Sequence, residues 1–256
     1  MGINLNFQCS GILPYYPSGN KRITFLFEMK SEDYVPPFFN NSLCFLGGNR
    51  GNKKDKSPEA VLERELNEEF HILDEDEEES LNDLIGQEVL KNQQGSPHTL
   101  NYDEKTIEDI RRIPSVLLEE KIYAESYLVT FFPPFGGIKR KVKGIESIFV
   151  KELSSEEYLF VDNLLKKTDG RVTTDNLKFG GKTLFASLEE LNDNRYKFAW
   201  DCGQMVTDIL KREKVPIPLR YPIAIKSLDG VEIKPIHTTE NPTFEEFEHM
   251  GYKYGK

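Results

Sequence analysis

The sequence predicts an α/β fold, on three observations. Residues 3–30 read as two strands about a turn cluster, and residues 121–132 alternate well enough for another. The run from Ser57 to Phe70 has the cap, the spacing and the absence of breakers that an amphipathic helix needs. Phe198, Trp200, Met205, Val206, Ile209 and Leu210 recur at roughly helical spacing, which predicts a late helix up to Lys211 with one buried face. At 256 residues the chain is one large domain or two small ones, long enough to bury a substantial core without metal or disulfide staples.

Taken in order, LNFQCSGILPYY (5–16) and RITFLFEMK (22–30) read as two strands separated by the turn cluster Pro17-Ser18-Gly19-Asn20, a hairpin signal. After Pro36 and Pro37, the short apolar run Leu43 to Leu46 leads into a polar, glycine-bearing loop from Gly47 to Lys56. Ser57 then suits an N-cap, Pro58 the first helical position and Glu59 the positive end of the helix dipole. Asp74 to Glu79 is almost entirely acidic, and residues 73–121 read as a surface insertion. KIYAESYLVTFF (121–132) predicts a strand, and Ile148 to Leu153 another. The stretch to about Asn194 is mixed, with Gly170 and Gly180-Gly181 as turns. The expected organisation is a domain over 1–214 and a Pro-rich tail or strand-bearing extension over 215–256.

Asp and Glu number 43 against 33 Lys and Arg, a formal net charge of −10. Such a surface repels a phosphate backbone, so bulk binding of nucleic acid or anionic membrane is disfavoured. Cys9, Cys44 and Cys202 are odd in number, far apart, and form no Cys-x-x-Cys pair, which fits a reduced setting without zinc or redox chemistry. The start, MGINLNFQCS, lacks a secretory signal, and the most apolar stretch, Tyr127 to Ile138, is short and broken by Pro133 and Pro134. A cytoplasmic protein is expected. The oligomeric state is left open by the sequence, with a homodimer as one option.

The informative segment is GGNRGNKKDKSPEAVLERELNEEFHI, residues 47–72. On a helix advancing about 100° per residue, Leu62, Leu66 and Phe70 stack as a buried stripe, while Glu65, Glu68 and Glu69 fall within a wedge of about 100° on the adjoining face. Three carboxylates on one patch destabilise a helix unless something positive sits there. Hard oxygen ligands at this density suit Mg²⁺ or Mn²⁺.

Arg64-Glu65-Leu66-Asn67-Glu68-Glu69, preceded by a strand ending in Gly-Gly and a loop, resembles the core of the Nudix box, Arg-Glu-aliphatic-any-Glu-Glu. The chain thus resembles the Nudix hydrolase superfamily, more weakly through SGILPYY, through SIFVKEL (147–153) and through FAWDCGQMVTDIL (198–210). It departs from the box where Asp55 and Lys56 replace a Gly-Glu pair, where the loop is about two residues longer, and where His71 replaces the glycine after the helix. The resemblance implies an α/β/α sandwich with a mixed sheet, an insertion after the box helix and a C-terminal extension. It also implies divalent-metal-dependent hydrolysis of the pyrophosphate in a nucleoside diphosphate linked to another moiety. The substrate is then a small nucleotide conjugate such as ADP-ribose, a dinucleoside polyphosphate or a nucleotide sugar.

In that reading Glu65 and Glu69 bind metal, Glu68 binds a second ion or holds its waters, and the Gly47 carbonyl adds a ligand. Arg64 orients the glutamates, and Asp55 or Glu59 compensates for Lys56. Glu146, read as a loop residue before SIFVKEL, is the expected base, and Glu146→Gln should lower kcat with little change in affinity. Lys139 and Arg140, in the basic loop Gly136 to Lys141, are candidates for substrate phosphates, and Tyr15, with Tyr16, Phe38 and Phe39, for stacking a base. His71, His98, His237 and His249 show no metal-ligand spacing. Lys56 and His71 favour the alternative, a catalytically weakened Nudix-fold nucleotide sensor, and the acidic segment with the aromatic C-terminus a third, an interaction module.

Overall fold

A computed structural model of the chain describes residues 2–18, 22–32, 34, 39–51, 55–71, 102–133, 139–200, 202–216, 223–226 and 228–254. The N-terminal strands are β1 (Ile3–Leu5), β2 (Phe7–Ser18) and β3 (Arg22–Met29). β2 and β3 pair antiparallel with Tyr15 opposite Phe25 and Ser18 opposite Arg22, the expected hairpin, whose tip residues Gly19 and Asn20 lie outside the described residues. β4 (Ser42–Cys44) pairs with the far end of β3. β5 (Leu46–Asn49) crosses to β2, opposing Gly47 to Gly11 and Gly48 to Ser10. The sheet therefore forks along β2, whose residues 9–12 pair with β5 and whose residues 15–18 pair with β3. Gly47 and Gly48 belong to a strand, so the polar loop begins only at Arg50.

Helix α1 (Pro58–Glu69) forms as its sequence predicts. The Ser57 hydroxyl accepts from the Ala60 N–H at 3.2 Å, Pro58 occupies the first turn, and the Phe70 N–H closes on the Leu66 carbonyl. Leu62, Leu66 and Phe70 are buried against Ile12, Leu26, Leu46 and Phe149. Burying each of these side chains contributes about 1.5–3 kcal/mol, so the stripe fixes the rotation of α1 and hence where its glutamates point.

Of the expected surface insertion, residues 72–101, with the acidic Asp74 to Glu79, lie outside the described residues. The remainder corrects the reading. Helix α2 (Glu104–Leu118) buries Ile110, Ile113 and Leu117 in the same core as α1, because apolar residues at i, i+3 and i+7 form a stripe that must be covered.

Strands β6 (Ile122–Phe131) and β7 (Val142–Glu152) are antiparallel, and β7 runs parallel to β2. β7 begins six residues before Ile148, where the sequence reading starts it. Helices α3 (Ser155–Thr168) and α4 (Thr174–Phe179) follow, then β8 (Lys182–Ser187) on β3, α5 (Leu188–Asn192) and β9 (Lys197–Phe198) beside β4. Gly170 and Gly180 take the left-handed turns predicted for them, with φ of 75° and 78°. Helix α6 spans Cys202–Lys211. Its predicted start at Phe198 is corrected: Phe198 belongs to β9 and Trp200, with φ of 55°, sits in the turn between them. Both are packed, so their apolar spacing carried a helical signal without a helix.

The C-terminal region is structural rather than a tail. β10 (Val231–Ile236) extends the sheet beside β6, α7 (Phe244–His249) packs on α1 through Phe244 and Phe247 against Val61, and β11 (Tyr252–Tyr254) pairs parallel with β1. The result is a mixed sheet with helices on both faces. Residues of α1, α2 and α3 pack on one face, while Met205, Val206, Ile209 and Leu210 of α6 pack on the other with Leu13, Phe25 and Tyr127. No described helix is long and apolar enough to cross a membrane.

Candidate functional site

For two of the three glutamates, Glu65 and Glu68, the positive charge is supplied by their own helix. Arg64 Nη1 lies 2.7 Å from Glu65 Oε1 and 2.8 Å from Glu68 Oε2, while Nη2 donates to the Asn49 carbonyl at 2.8 Å and lies 3.2 Å from Asp55 Oδ2. Asp55 is 5% exposed, so the brace is anchored from the interior. Asp55 thus holds Arg64, and Glu59 does not compensate for Lys56: with Glu63 it turns to Lys121, at 2.7 and 3.3 Å. Lys56 is exposed, and its carbonyl accepts from the Phe244 N–H.

The two glycines before the loop have different duties. Gly47 has φ of 130°, and a side chain there would start 2.2 Å from the Ser10 carbonyl oxygen. At Gly48 a Cβ would meet the Glu65 carboxylate at 2.1 Å, so this carboxylate lies directly against the bare backbone of β5. The strand pair opposes both glycines to β2, which makes β5 the floor on which Glu65 rests.

The three carboxylates have three environments. Glu68 is largely exposed at 62% and is held by Arg64. Glu65 is half-buried, and burial pushes its carboxyl up against the opposing pull of Arg64. Glu69 is partly exposed as a residue, but its Oε2 is enclosed and has no hydrogen-bond partner. Burial raises its carboxyl well above the usual range, the charge of Glu28 raises it further, Lys30 opposes this, and Asp175 and Glu65 add to it. Glu28 on β3, Lys30 just after it and Asp175 on α4 form a group of their own, with Lys30 at 2.6 Å from Glu28 and 4.0 Å from Asp175, whose charges reach Glu69. Sequence reasoning missed all three because they come from separate elements. The available signal was Glu28 itself, a carboxylate within an apolar strand.

Other candidates are not brought to this cluster. Glu146 is not a loop residue but lies inside β7, opposite Cys9 and Tyr127, and is 8% exposed. Its neighbours Ile145 and Phe149 pack with α1 residues, whereas Ile148 and Val150 join the opposite core, so strand alternation turns Glu146 away from α1. Burial, then the charges of Glu146 and Glu65 in that order, raise the thiol of Cys9. Tyr15 is also corrected. It is a core residue at 5% exposure on the α6 face, its hydroxyl donating to Glu152 at 2.9 Å. Phe39 is fully buried, with its ring 4.2 Å from that of Trp200; Phe38 and His98 lie outside the described residues. Lys139 and Arg140 are exposed before β7, and no described hydrogen bond or ion pair joins them to α1.

The donor chemistry of Glu65, Glu68 and Glu69 fits a hard divalent ion, and an orphaned, buried carboxylate oxygen is a ligand in want of a partner. As the side chains stand, among the described residues no three acidic, His or Cys groups converge closely enough to hold an ion. The sequence matches no protein-family model, and comparison with curated proteins gives no match.

Proposed function

We propose that the chain is a divalent-metal-dependent hydrolase of the Nudix type, with the α/β/α sandwich of that superfamily, acting on the pyrophosphate of a small nucleotide conjugate. The observation that carries this reading is the pairing of Glu65, seated on the backbone of Gly48, with Glu69, whose Oε2 is buried and unpartnered. A doubly substituted pyrophosphate is anionic and repels hydroxide, and Mg²⁺ or Mn²⁺ would neutralise its bridge oxygens and acidify the attacking water. Glu65 and Glu69 would hold the ion, with Glu68 at the exposed rim. Arg64 positions Glu65 and Glu68 and is itself fixed by Asp55 and the Asn49 carbonyl. Gly47 keeps β5 close enough to β2 for this floor to form.

Turnover is tested by incubating the protein with ADP-ribose, dinucleoside polyphosphates, NAD and nucleotide sugars, with and without Mg²⁺ or Mn²⁺. Release of a nucleoside monophosphate only with metal, lost in Glu65→Gln and in Glu69→Gln while the fold persists, is the expected result. Full activity in either variant sinks the assignment. The grip of Arg64 on both Glu65 and Glu68 favours a second reading, a nucleotide-binding sensor of the same fold. Tight binding of one of these nucleotides without turnover, independent of metal, would establish it.

A further inference from the structure

The far end of the β2–β3 hairpin floors a cleft of about 530 Å³, within the roughly 300–1,000 Å³ typical of small-ligand sites. Strand register builds that floor. Thr24 on β3 lies opposite Tyr16 on β2 and Ser187 on β8, and this row shares the sheet face on which Leu26, two residues along β3, packs with α1. The rings of Tyr16 and Tyr158 of α3 stack with centroids 4.2 Å apart and planes 12° from parallel, and Phe185 backs Tyr158 at 4.8 Å. One wall is therefore aromatic and braced. Charged groups of α5 and its neighbours form the other: Arg22 Nε lies 3.8 Å from Glu189 Oε1, and Arg195 Nη1 lies 3.4 Å from Glu190 Oε1 and Nη2 3.9 Å from Asp193. Glu190 is held in place, because its Oε2 accepts from the Ser187 N–H and hydroxyl, both at 2.9 Å. Ser187 is thus engaged in capping α5, whereas the enclosed Thr24 hydroxyl, in the middle of the floor, has no hydrogen-bond partner.

We propose that this cleft binds a neutral sugar ring. Sugar hydroxyls both donate and accept, which matches guanidiniums that only donate, carboxylates that only accept and a threonine hydroxyl that does either. The C–H face of the ring lies against the tyrosine wall, where apolar contact holds it without charge. Each arginine of the cleft already has its acid, so a phosphate or carboxylate ligand has to displace Glu189 or Glu190, while a sugar leaves both pairs standing. The proposal does not rest on the hydrolase reading. Ser10, opposite Gly48 beneath Glu65, and Tyr16 stand roughly 20 Å apart along β2 at ~3.3 Å per residue, which makes the cleft a separate site.

Saturation-transfer difference NMR on the full chain, with glucose, galactose, mannose and N-acetylglucosamine, each free and as its methyl glycoside, tests this. Transfer to the ring protons of at least one of them is expected, with millimolar or tighter affinity by calorimetry. That affinity should weaken about tenfold in Thr24→Val, which keeps the side-chain shape and removes the hydroxyl, and similarly in Arg195→Ala. Arg195 is exposed, so its removal leaves the fold intact even if Thr24→Val does not. Better binding of a glycoside than of its free sugar assigns the ring to a conjugate, the reverse to a free sugar, and either supports the proposal. No transfer to any of the eight, or an affinity unchanged in Arg195→Ala, overturns it. Inorganic phosphate is the competing probe, and displacement of the sugar by phosphate at equal concentration would make the cleft an anion site and overturn the proposal equally.

Discussion

Asp55 Oδ2 lies 3.2 Å from Arg64 Nη2, and this contact joins the loop before α1 to the face of α1 that carries the glutamates. Asp55 is almost fully enclosed, so its removal leaves a guanidinium with a missing partner and the loop without its tie. Asp55→Asn should lose about 1.5–3 kcal/mol of stability, the range for hydrogen bonds to charged groups. Urea denaturation with an unchanged slope is the measurement. A loss below about 0.5 kcal/mol, typical of a surface change, would show that Asp55 does not brace Arg64.

The adjacent glycines should fail in opposite ways. Gly47→Ala places a Cβ against a backbone oxygen at a positive φ, where neither party can yield, and should cost at least 1–3 kcal/mol. Gly48→Ala meets only the end of the flexible Glu65 side chain, which can rotate away. It should therefore fold normally, bind Mn²⁺ more weakly and lose turnover. Calorimetric scans and Mn²⁺ titration of the two variants decide this, and a Gly48→Ala protein with unimpaired metal binding would remove Glu65 from the site.

The stripe Leu62, Leu66 and Phe70 and the cap at Ser57 were legible in the sequence because both are local, fixed by helical spacing and one hydrogen bond. What the sequence left open was a question of sign: three glutamates demand a counter-charge, and Arg64 supplies it for Glu65 and Glu68 while Glu69 feels only the charge of Lys30, just after β3. Glu28, Lys30 and Asp175 were hidden because only the tertiary meeting of β3, α1 and α4 brings them together. Glu146 misled for a related reason. Read as a loop, it had freedom to turn toward α1, but within β7 its direction is dictated by alternation with Ile145 and Ser147. Glu146→Gln should accordingly leave kcat within about threefold of the unsubstituted chain, ~0.7 kcal/mol in barrier, and a fall of two orders of magnitude would contradict its placement.

The C-terminal segment holds the other side of the loop. The Arg50 guanidinium lies 4.0 Å from the Phe244 ring centroid and 5.5 Å from that of Tyr254, whose hydroxyl donates to the Arg50 carbonyl. Phe244 is also core, packed with Val61 of α1. Phe244→Ala should cost about 3–5 kcal/mol and, in hydrogen exchange, release protection around Arg50 before the sheet opens. Protection at Arg50 that falls only with global unfolding would mean that the segment does not anchor this loop.

The enclosed carboxyl of Glu69 gives stability a pH dependence of known sign. Burial and the charge of Glu28 hold its carboxyl well above the usual range, with Lys30 opposing. The folded chain therefore keeps a proton that the unfolded chain releases near the ordinary glutamate value of about 4.3. A raised folded value contributes stability that is complete below the unfolded value and is lost as pH rises through the folded one. In EDTA, the melting temperature should thus fall with rising pH above the usual carboxylate range, and Glu69→Gln should flatten that decline. Mn²⁺ requires the deprotonated carboxylate, so its affinity should rise across the same window. Stability and metal binding then move in opposite directions with pH through one group. A decline in melting temperature that persists unchanged in Glu69→Gln would assign it to another group and leave the unpartnered oxygen without a role.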